Sequence, residues 1–240
     1  MEEILRIITL TGLAGACIPL GAALAMLPGV RPRWLKHELR HFITALGGGI
    51  LLGAVSEVLV PEGLAAMDES MLAIPIVFTG ALVFFAIERF LGLRRQEAPQ
   101  LMGMLLDYVP EAIALGGMVA ASSPLSLLLA VLIGVQNLPE GFNAYRELEM
   151  RNHGGSRRGL RMMLMLVPLG PIAGLCGYFF LSGHEAVLGA IMLFAAGGII
   201  YLIFQDIAPQ SRLKKHWAPP LGAVCGFCLA LFSEMLVNPV

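Results

Sequence analysis

Lysine and arginine are distributed along this chain in a way that constrains its fold more than any other feature. The sequence has 16 of these residues, and 15 of them lie in or beside four of the segments between long apolar stretches. About 20 consecutive apolar residues can cross a bilayer as one helix. The chain has eight such stretches, at about 4–28, 41–60, 71–93, 101–121, 124–146, 160–182, 184–205 and 217–237. The basic segments follow the first, third, fifth and seventh stretches, with Arg6 as the exception.

Because basic connections stay on the cytoplasmic side, this pattern predicts eight transmembrane helices with both termini extracytoplasmic. The composition is 57% hydrophobic and 14% charged, whereas soluble domains carry about 25% charged residues. We therefore expect an all-α integral membrane protein of the cell (inner) membrane, with residues 1–240 forming a single transmembrane domain. Membrane lipid is an expected partner, and nucleic acid is not.

The fourth and fifth apolar stretches contain two segments that nearly repeat each other. They read Asp107-Tyr108-Val109-Pro110-Glu111-Ala112 and Gln136-Asn137-Leu138-Pro139-Glu140-Gly141. A carboxylate inside a membrane is costly and usually marks a pathway or a binding site, and no lysine or arginine occurs near the centre of either stretch. Each proline also leaves a carbonyl one turn earlier without its usual N–H partner. Such a collection of oxygen atoms suits a metal ion.

The polar residues of the two motifs lie at matching depths. Asp107 and Glu111 lie about six and ten residues from the cytoplasmic end of the fourth stretch, while Glu140 and Gln136 lie about five and nine residues from that end of the fifth, which places both pairs roughly 8–15 Å deep. Residues i and i+4 share one helix face, and the short connection makes the two helices antiparallel neighbours. These four side chains, with Asn137 beside them, are predicted to converge as metal ligands.

At these motifs the chain resembles the ZIP family of divalent-metal transporters. Members of that family have eight spans with both ends extracytoplasmic, and their fourth and fifth spans carry motifs of the form His-Asn-x-Pro-Glu-Gly. The resemblance implies a ZIP-like bundle with the metal site on helices 4 and 5. It also implies transport of a divalent cation toward the cytoplasm, by movement of one helix bundle against another, and the protein is therefore expected not to be an enzyme. Together with the glycine content (28 residues), it suggests a homodimer.

The chain departs from the family pattern at several positions. The two histidines of the motifs are Asp107 and Gln136 here, and the first asparagine is Tyr108. The stretch 167–174 of the sixth span lacks the acidic residue that family members often carry. Zinc favours nitrogen and sulfur ligands, whereas harder ions accept oxygen ligands. We therefore expect a transported divalent ion (zinc, manganese, iron(II) or similar) with a preference shifted away from zinc toward manganese or iron(II).

Three further acidic residues are candidates for the pathway. Glu57 lies in the second stretch and is followed by a third Pro-Glu-Gly sequence that contains Glu62, near the extracytoplasmic end. Asp206 ends the seventh stretch on the cytoplasmic side. An entrance role is considered for Glu57 and Glu62, and an exit role for Asp206.

Two other functions are compatible with the sequence. Because both motif histidines are replaced, the chain could be a ZIP-like scaffold with lost or altered transport, acting as a metal sensor or a structural protein. A more distant alternative is an intramembrane metalloprotease, because His37-Glu38-Leu39-Arg40-His41 matches the His-Glu-x-x-His zinc-protease pattern. That pattern lies in a basic cytoplasmic flank, where a solvated turn is expected.

Overall fold

The structure, a computed structural model, describes residues 1–27, 33–93, 99–151, 156–212 and 218–237. Within these ranges all regular secondary structure is helical, because a helix satisfies its own backbone hydrogen bonds where hydrocarbon offers no partner. The α-helices are α1 (Glu2–Ala25), α2 (Arg33–Ala54), α3 (Val60–Ala66), α4 (Ala73–Leu93), α5 (Pro99–Ala120), α6 (Ser126–Arg151), α7 (Ser156–Leu166), α8 (Leu169–Leu181), α9 (Glu185–Leu202), α10 (Ala208–Ser211) and α11 (Leu221–Val237).

Seven helical stretches in the described residues are long and apolar enough to cross a membrane. Three of them join consecutive elements: α2 with α3, α7 with α8, and α9 with α10. The predicted multi-pass helical architecture is therefore present. The last helix, α11, is apolar but has 17 residues, which gives about 26 Å at 1.5 Å per residue and lies at the lower end of the spanning range. The eighth span remains a prediction.

Many of the basic residues used to orient the chain lie outside the described residues. They include Arg31, Arg94, Arg95, Lys214 and Lys215. The orientation of the chain in the membrane therefore also remains a prediction.

The His-Glu-x-x-His segment lies in the first turns of α2, which begins at Arg33. The expectation of a turn in this segment was therefore wrong, since the helix starts before the apolar stretch does. The side chain of His37 lies outside the described residues, whereas Glu38 is exposed and His41 is half-buried.

Two five-residue π-helical segments interrupt otherwise continuous helices. One, Val55–Leu59, joins α2 to α3, and the other, Ile203–Ile207, joins α9 to α10. Each is followed by a proline at the second position of the next helix. Single π-helical turns are rare in proteins, but those that occur are often found at functional sites. Here the two turns contain Glu57 and Asp206, two of the three candidate pathway residues.

The spanning helices pack into two groups. The first group contains α1, α5, α6 and α8, with α1 packed on α6 and α5 packed on α8. The second group contains α2, α4, α9 and α11, with α2 packed on α11 and α4 packed on α9. The principal contacts between the groups are those of α2 with α6 and of α5 with α9. Both motif-bearing helices belong to the first group.

Glycine pairs hold the helices together within each group. Each of the four helix pairs has one such glycine on each of its two helices. A Cβ atom on that glycine would overlap with a backbone carbonyl of the partner helix. The pairs are Gly21 with Gly141 (α1–α6), Gly116 with Gly177 (α5–α8), Gly49 with Gly226 (α2–α11) and Gly80 with Gly197 (α4–α9). Small residues allow such close approach of membrane helices.

No described glycine brings the backbone of one group against the backbone of the other. Gly47 of α2 meets the ring of Pro139, and Gly117 of α5 meets the side chains of Leu181 and Leu188. The interface between the groups, which we call the seam, is therefore formed by side chains at these positions.

We predict that Gly141→Ala destabilises the protein, because the new Cβ would overlap with the backbone of Ile18 in α1. Overpacking of this kind costs about 1–3 kcal/mol. Thermal unfolding in detergent should show a lower Tm for this variant. Gly103→Ala in α5 is the matched control, because nothing lies within 4 Å of the added Cβ and alanine is the better helix former. Equal Tm values for the two variants would contradict the role of Gly141.

Candidate metal site

The five predicted ligands lie on two neighbouring antiparallel helices. Asp107 and Glu111 are on α5, and Gln136, Asn137 and Glu140 are on α6. The side chains of Asp107, Glu111, Gln136 and Asn137 are almost completely buried, with at most 3% of each residue exposed. Glu140 is half-buried as a residue, but both of its carboxylate oxygens are inaccessible to solvent.

The side chains of the two helices meet in pairs across the contact between α5 and α6. The amide Nε2 of Gln136 donates a hydrogen bond to Oε2 of Glu111. One turn nearer to the predicted cytoplasmic side, the carboxyl groups of Asp107 and Glu140 lie near each other. This register follows from the antiparallel arrangement, in which a step of one turn along α5 is matched by a step of one turn back along α6.

Five oxygen atoms of these side chains are buried without a hydrogen-bond donor. They are Oε1 of Glu111, Oε1 of Gln136, Oδ1 of Asn137, and Oε1 and Oε2 of Glu140. A buried acceptor without a partner costs about 1–3 kcal/mol, and more when the group is charged. Such atoms are rare in native proteins. A cation among them would satisfy several acceptors together.

Two local hydrogen bonds orient the remaining polar atoms. The amide Nδ2 of Asn137 donates to the carbonyl of Ala14 at 3.0 Å, which ties α6 to α1. The oxygen Oδ1 of the same amide has no donor. The backbone N–H of Tyr108 donates to Oδ1 of Asp107 at 2.7 Å. Asn137 thus lies at the junction of the site with α1, beside the paired carboxylates.

A small cavity lies beside Asp107 and Glu140. Its volume is about 30 Å³, and its lining also includes Asp206 and Ile207 of the second π-helical segment. This volume equals about the share of one water molecule in liquid water. The cavity has room for a bare ion or one water, and it connects the motif carboxylates with one of the candidate pathway residues.

The other two candidate pathway residues do not line this cavity. Glu57 is half-buried, and its Oε1 accepts a hydrogen bond from Oγ of Ser56 at 3.0 Å. Glu62 accepts a hydrogen bond from Oγ of Ser123 at 2.8 Å. Both lie toward the opposite end of the helices from Asp206.

In the part of the chain that the structure describes, no three or more histidine, cysteine, aspartate or glutamate side chains form a group arranged to hold a metal ion. Two of the five predicted ligands are amides, and the Glu111 carboxylate is engaged with Gln136. The assignment of the five residues as a ligand set therefore stays a prediction.

Sequence reasoning did not identify Glu88 and Tyr201 as neighbours of the candidate exit residue. The hydroxyl of Tyr201 donates to Oε2 of Glu88 at 3.0 Å, and the carboxyl of Asp206 lies near Glu88. Glu147 of α6 is also near Asp206. The spacing of five residues between Tyr201 and Asp206 departs from the helical period of 3.6, and the π-helical turn Ile203–Ile207 begins between them.

Tyr108, which replaces the first asparagine of the family pattern, is buried among helices of the first group. Its hydroxyl donates to the carbonyl of Thr11 at 3.2 Å, and only 1% of the residue is exposed. Gly15 of α1 and Gly170 of α8 leave the room for its ring, because a Cβ atom at either position would overlap with the tyrosine hydroxyl. Tyr108 therefore packs the first helix group together.

The fold and the buried polar interior define a multi-pass helical membrane protein with an oxygen-rich cluster between two helices. No family model matches the chain. The chain is 33% identical over 136 residues to a curated protein of Myxococcus xanthus named Zinc transporter GufA, and the match covers 56% of this chain and 53% of that protein. The chain thus spans about half the length of the curated relative that it matches. This match supports a relationship between the chain and the ZIP family, whose motifs the paired segments resemble.

We predict that Tyr108→Phe has little effect on metal binding and that Tyr108→Ala lowers stability strongly. The phenylalanine variant loses one hydrogen bond, worth about 0.5–1.5 kcal/mol. The alanine variant leaves a cavity, which for a buried aromatic side chain costs about 3–5 kcal/mol. Thermal unfolding and metal binding by the purified variants measure the two effects separately. Loss of metal binding in the stable phenylalanine variant would show that the hydroxyl belongs to the site.

Proposed function

We propose that the protein transports a divalent metal cation across the cell membrane into the cytoplasm, with Asp107, Glu111, Gln136, Asn137 and Glu140 as its ligands. The proposal includes eight spans, with α11 as the eighth, and both termini outside the cytoplasm. The relative named as a zinc transporter supports metal transport as the general activity. The cation is the transported substrate.

The observation that carries the proposal is the set of five buried oxygen atoms without donors. All five belong to residues of the two motifs, and all are acceptors. Three carboxylates inside a membrane are costly without compensating charge, and a divalent cation would neutralise two of the three charges. Carboxylate and amide oxygens are suitable ligands for such an ion.

Transport requires the site to open to each side in turn, and the two helix groups provide the means. The glycine pairs fix α5 and α6 to α8 and α1, whereas the seam with the second group is formed by side chains at Gly47 and Gly117. Backbone-to-backbone packing resists displacement more than contact between side chains does, since side chains can change rotamers. We infer that the first group moves as a unit against the second and carries the cation with it.

The positions of the candidate pathway residues agree with transport of the ion toward the cytoplasm. Asp206 shares the cavity with Asp107 and Glu140, on the side that the basic connections predict to be cytoplasmic, and it would receive the ion on exit. Glu57 and Glu62 lie toward the other side, where the ion would enter. The π-helical turns at Glu57 and Asp206 place these acids in irregular backbone.

We predict that Glu111→Ala and Glu140→Ala each abolish metal uptake into vesicles that contain the purified protein. Each substitution removes carboxylate oxygens that would hold the ion. Glu149→Ala is the matched control on α6, because Glu149 is exposed and only forms an ion pair with Arg146 at 3.0 Å. It should leave uptake within about a factor of two of the unmodified rate, since exposed ion pairs contribute about 0–1 kcal/mol.

The same experiment separates the proposal from the alternative of a scaffold without transport. Metal binding by the purified protein, without uptake into vesicles, would identify a sensor or structural protein. Unchanged uptake by both carboxylate variants would show that the cation does not use this site.

The absence of nitrogen and sulfur ligands bears on which metal is preferred. Each residue of the proposed set offers oxygen to an ion, because amide nitrogens do not have a free lone pair for metal binding. Zinc is bound mostly by histidine and cysteine, whereas manganese accepts carboxylate and carbonyl oxygens. We therefore propose that the preference is shifted from zinc toward manganese or iron(II) relative to a site with histidines.

We predict that the double substitution Asp107→His with Gln136→His raises the affinity for zinc relative to manganese. The expected change in the affinity ratio is on the order of tenfold, which corresponds to about 1.4 kcal/mol. Competition between the two metals for the purified protein measures it. A ratio that is unchanged, with both metals still bound, would refute the proposed oxygen-based preference.

A further inference from the structure

Side-chain hydrogen bonds between described residues cross the seam near both ends of the helices. Near the predicted cytoplasmic end, Nδ2 of Asn143 in α6 donates to Oγ1 of Thr44 in α2 at 3.0 Å. At the opposite end, Oγ of Ser123 donates to Oε2 of Glu62 in α3 at 2.8 Å. Ser123 lies in the turn that joins the two motif-bearing helices. One of the two bonds therefore links the outer end of both site helices to the second group.

The turn between α5 and α6 holds the Ser123 side chain in a defined position. Ser122 has a φ of +56°, in the left-handed region that non-glycine residues rarely adopt. The N–H of Ser123 then donates to the carbonyl of Met118 at 2.9 Å. The N–H of Leu125 donates to Oγ of Ser123 at 3.2 Å. A serine hydroxyl has one proton to donate, and with Leu125 on its acceptor side that proton goes to Glu62.

Glu62 belongs to the third Pro-Glu-Gly sequence, which the proposed metal site does not use. It follows the first π-helical segment by three residues, and its helix α3 packs on α9 of the second group. The neighbouring Gly63 is fully buried, and a Cβ at this position would overlap with Leu193 of α9. Glu62 is therefore anchored to the second group, while Ser123 moves with the first.

We propose that the hydrogen bond between Glu62 and Ser123 is a latch that keeps the extracytoplasmic end of the transporter closed, a role that rests on the proposed function. The cavity at the site adjoins Asp206 at the other end of the helices, as expected for a conformation that faces the cytoplasm. Entry of a metal ion from outside requires the α5–α6 turn to separate from α3, which breaks the latch. Glu62 acts here as a positioning residue and not as a ligand.

The first test fixes the latch covalently. Glu62→Cys and Ser123→Cys are combined in a protein whose four native cysteines are replaced by serine, and the cross-link is formed by an oxidant. Metal uptake into vesicles should be lost on oxidation and recovered on reduction, while each single cysteine variant is insensitive to the oxidant. Uptake by the cross-linked protein at the rate of the reduced protein would overturn the proposal.

The second test measures opening without transport. Leu115 of α5 is completely buried and lies one turn from Glu111 toward the Ser123 end. Leu115→Cys, in the same cysteine-free protein, is labelled with a membrane-impermeant maleimide from outside. Ser123→Ala should increase the labelling rate severalfold, because it removes the bond to Glu62 and favours the open outer end.

Ser126→Ala is the matched control for this measurement. Ser126 is also buried at this end, but it accepts a hydrogen bond from Arg6 of α1 at 3.1 Å, within the first group. Its loss should leave the labelling rate unchanged. Equal labelling in the Ser123→Ala and Ser126→Ala variants would overturn the latch. A labelling rate that rises only in the Ser123→Ala variant supports the latch, even if the protein does not transport metal. The latch and the proposed transport function can therefore fail separately.

Discussion

The burial of oxygen acceptors without donors is the physical constraint on which the interior of this protein depends. Glu111, Gln136, Asn137 and Glu140 contribute these atoms, which are buried from solvent. Inside a membrane, neither lipid nor backbone supplies a compensating N–H group, since helical N–H groups are already used. A positive species among these acceptors would compensate them, and in its absence their burial is costly. That cost has to be met by packing elsewhere in the first helix group.

The packing that meets this cost is made by glycine and small residues more than by large side chains. Hydrophobic association provides no net force between helices in lipid, so close van der Waals contact must provide it. Gly141 of the second motif packs on the backbone of Ile18. The glycine of this Pro-Glu-Gly motif is thus explained by helix contact.

The sequence indicated the helical, multi-pass architecture because hydrophobic length is a direct consequence of bilayer thickness. It also indicated which residues of α5 and α6 approach each other, because the helical rise converts sequence distance into depth. It did not indicate the π-helical turns, since a local change of helix type depends on packing that no short pattern records. For the same reason it missed the approach of Glu88 and Tyr201 to Asp206. The turn expected at His37–His41 was wrong because helix α2 starts before hydropathy rises.

The replacement of the two motif histidines has different consequences at the two positions. A neutral histidine can donate through one ring nitrogen and bind an ion through the other. Gln136 retains this double capacity, because its Nε2 donates to Glu111 while its Oε1 has no partner. Asp107 does not retain it, since a carboxylate only accepts. It brings a third carboxyl group next to Glu140 in place of a neutral ring. Gln136 therefore keeps a donor and an unpartnered acceptor in one side chain, whereas the residue at 107 adds a carboxyl group beside Glu140.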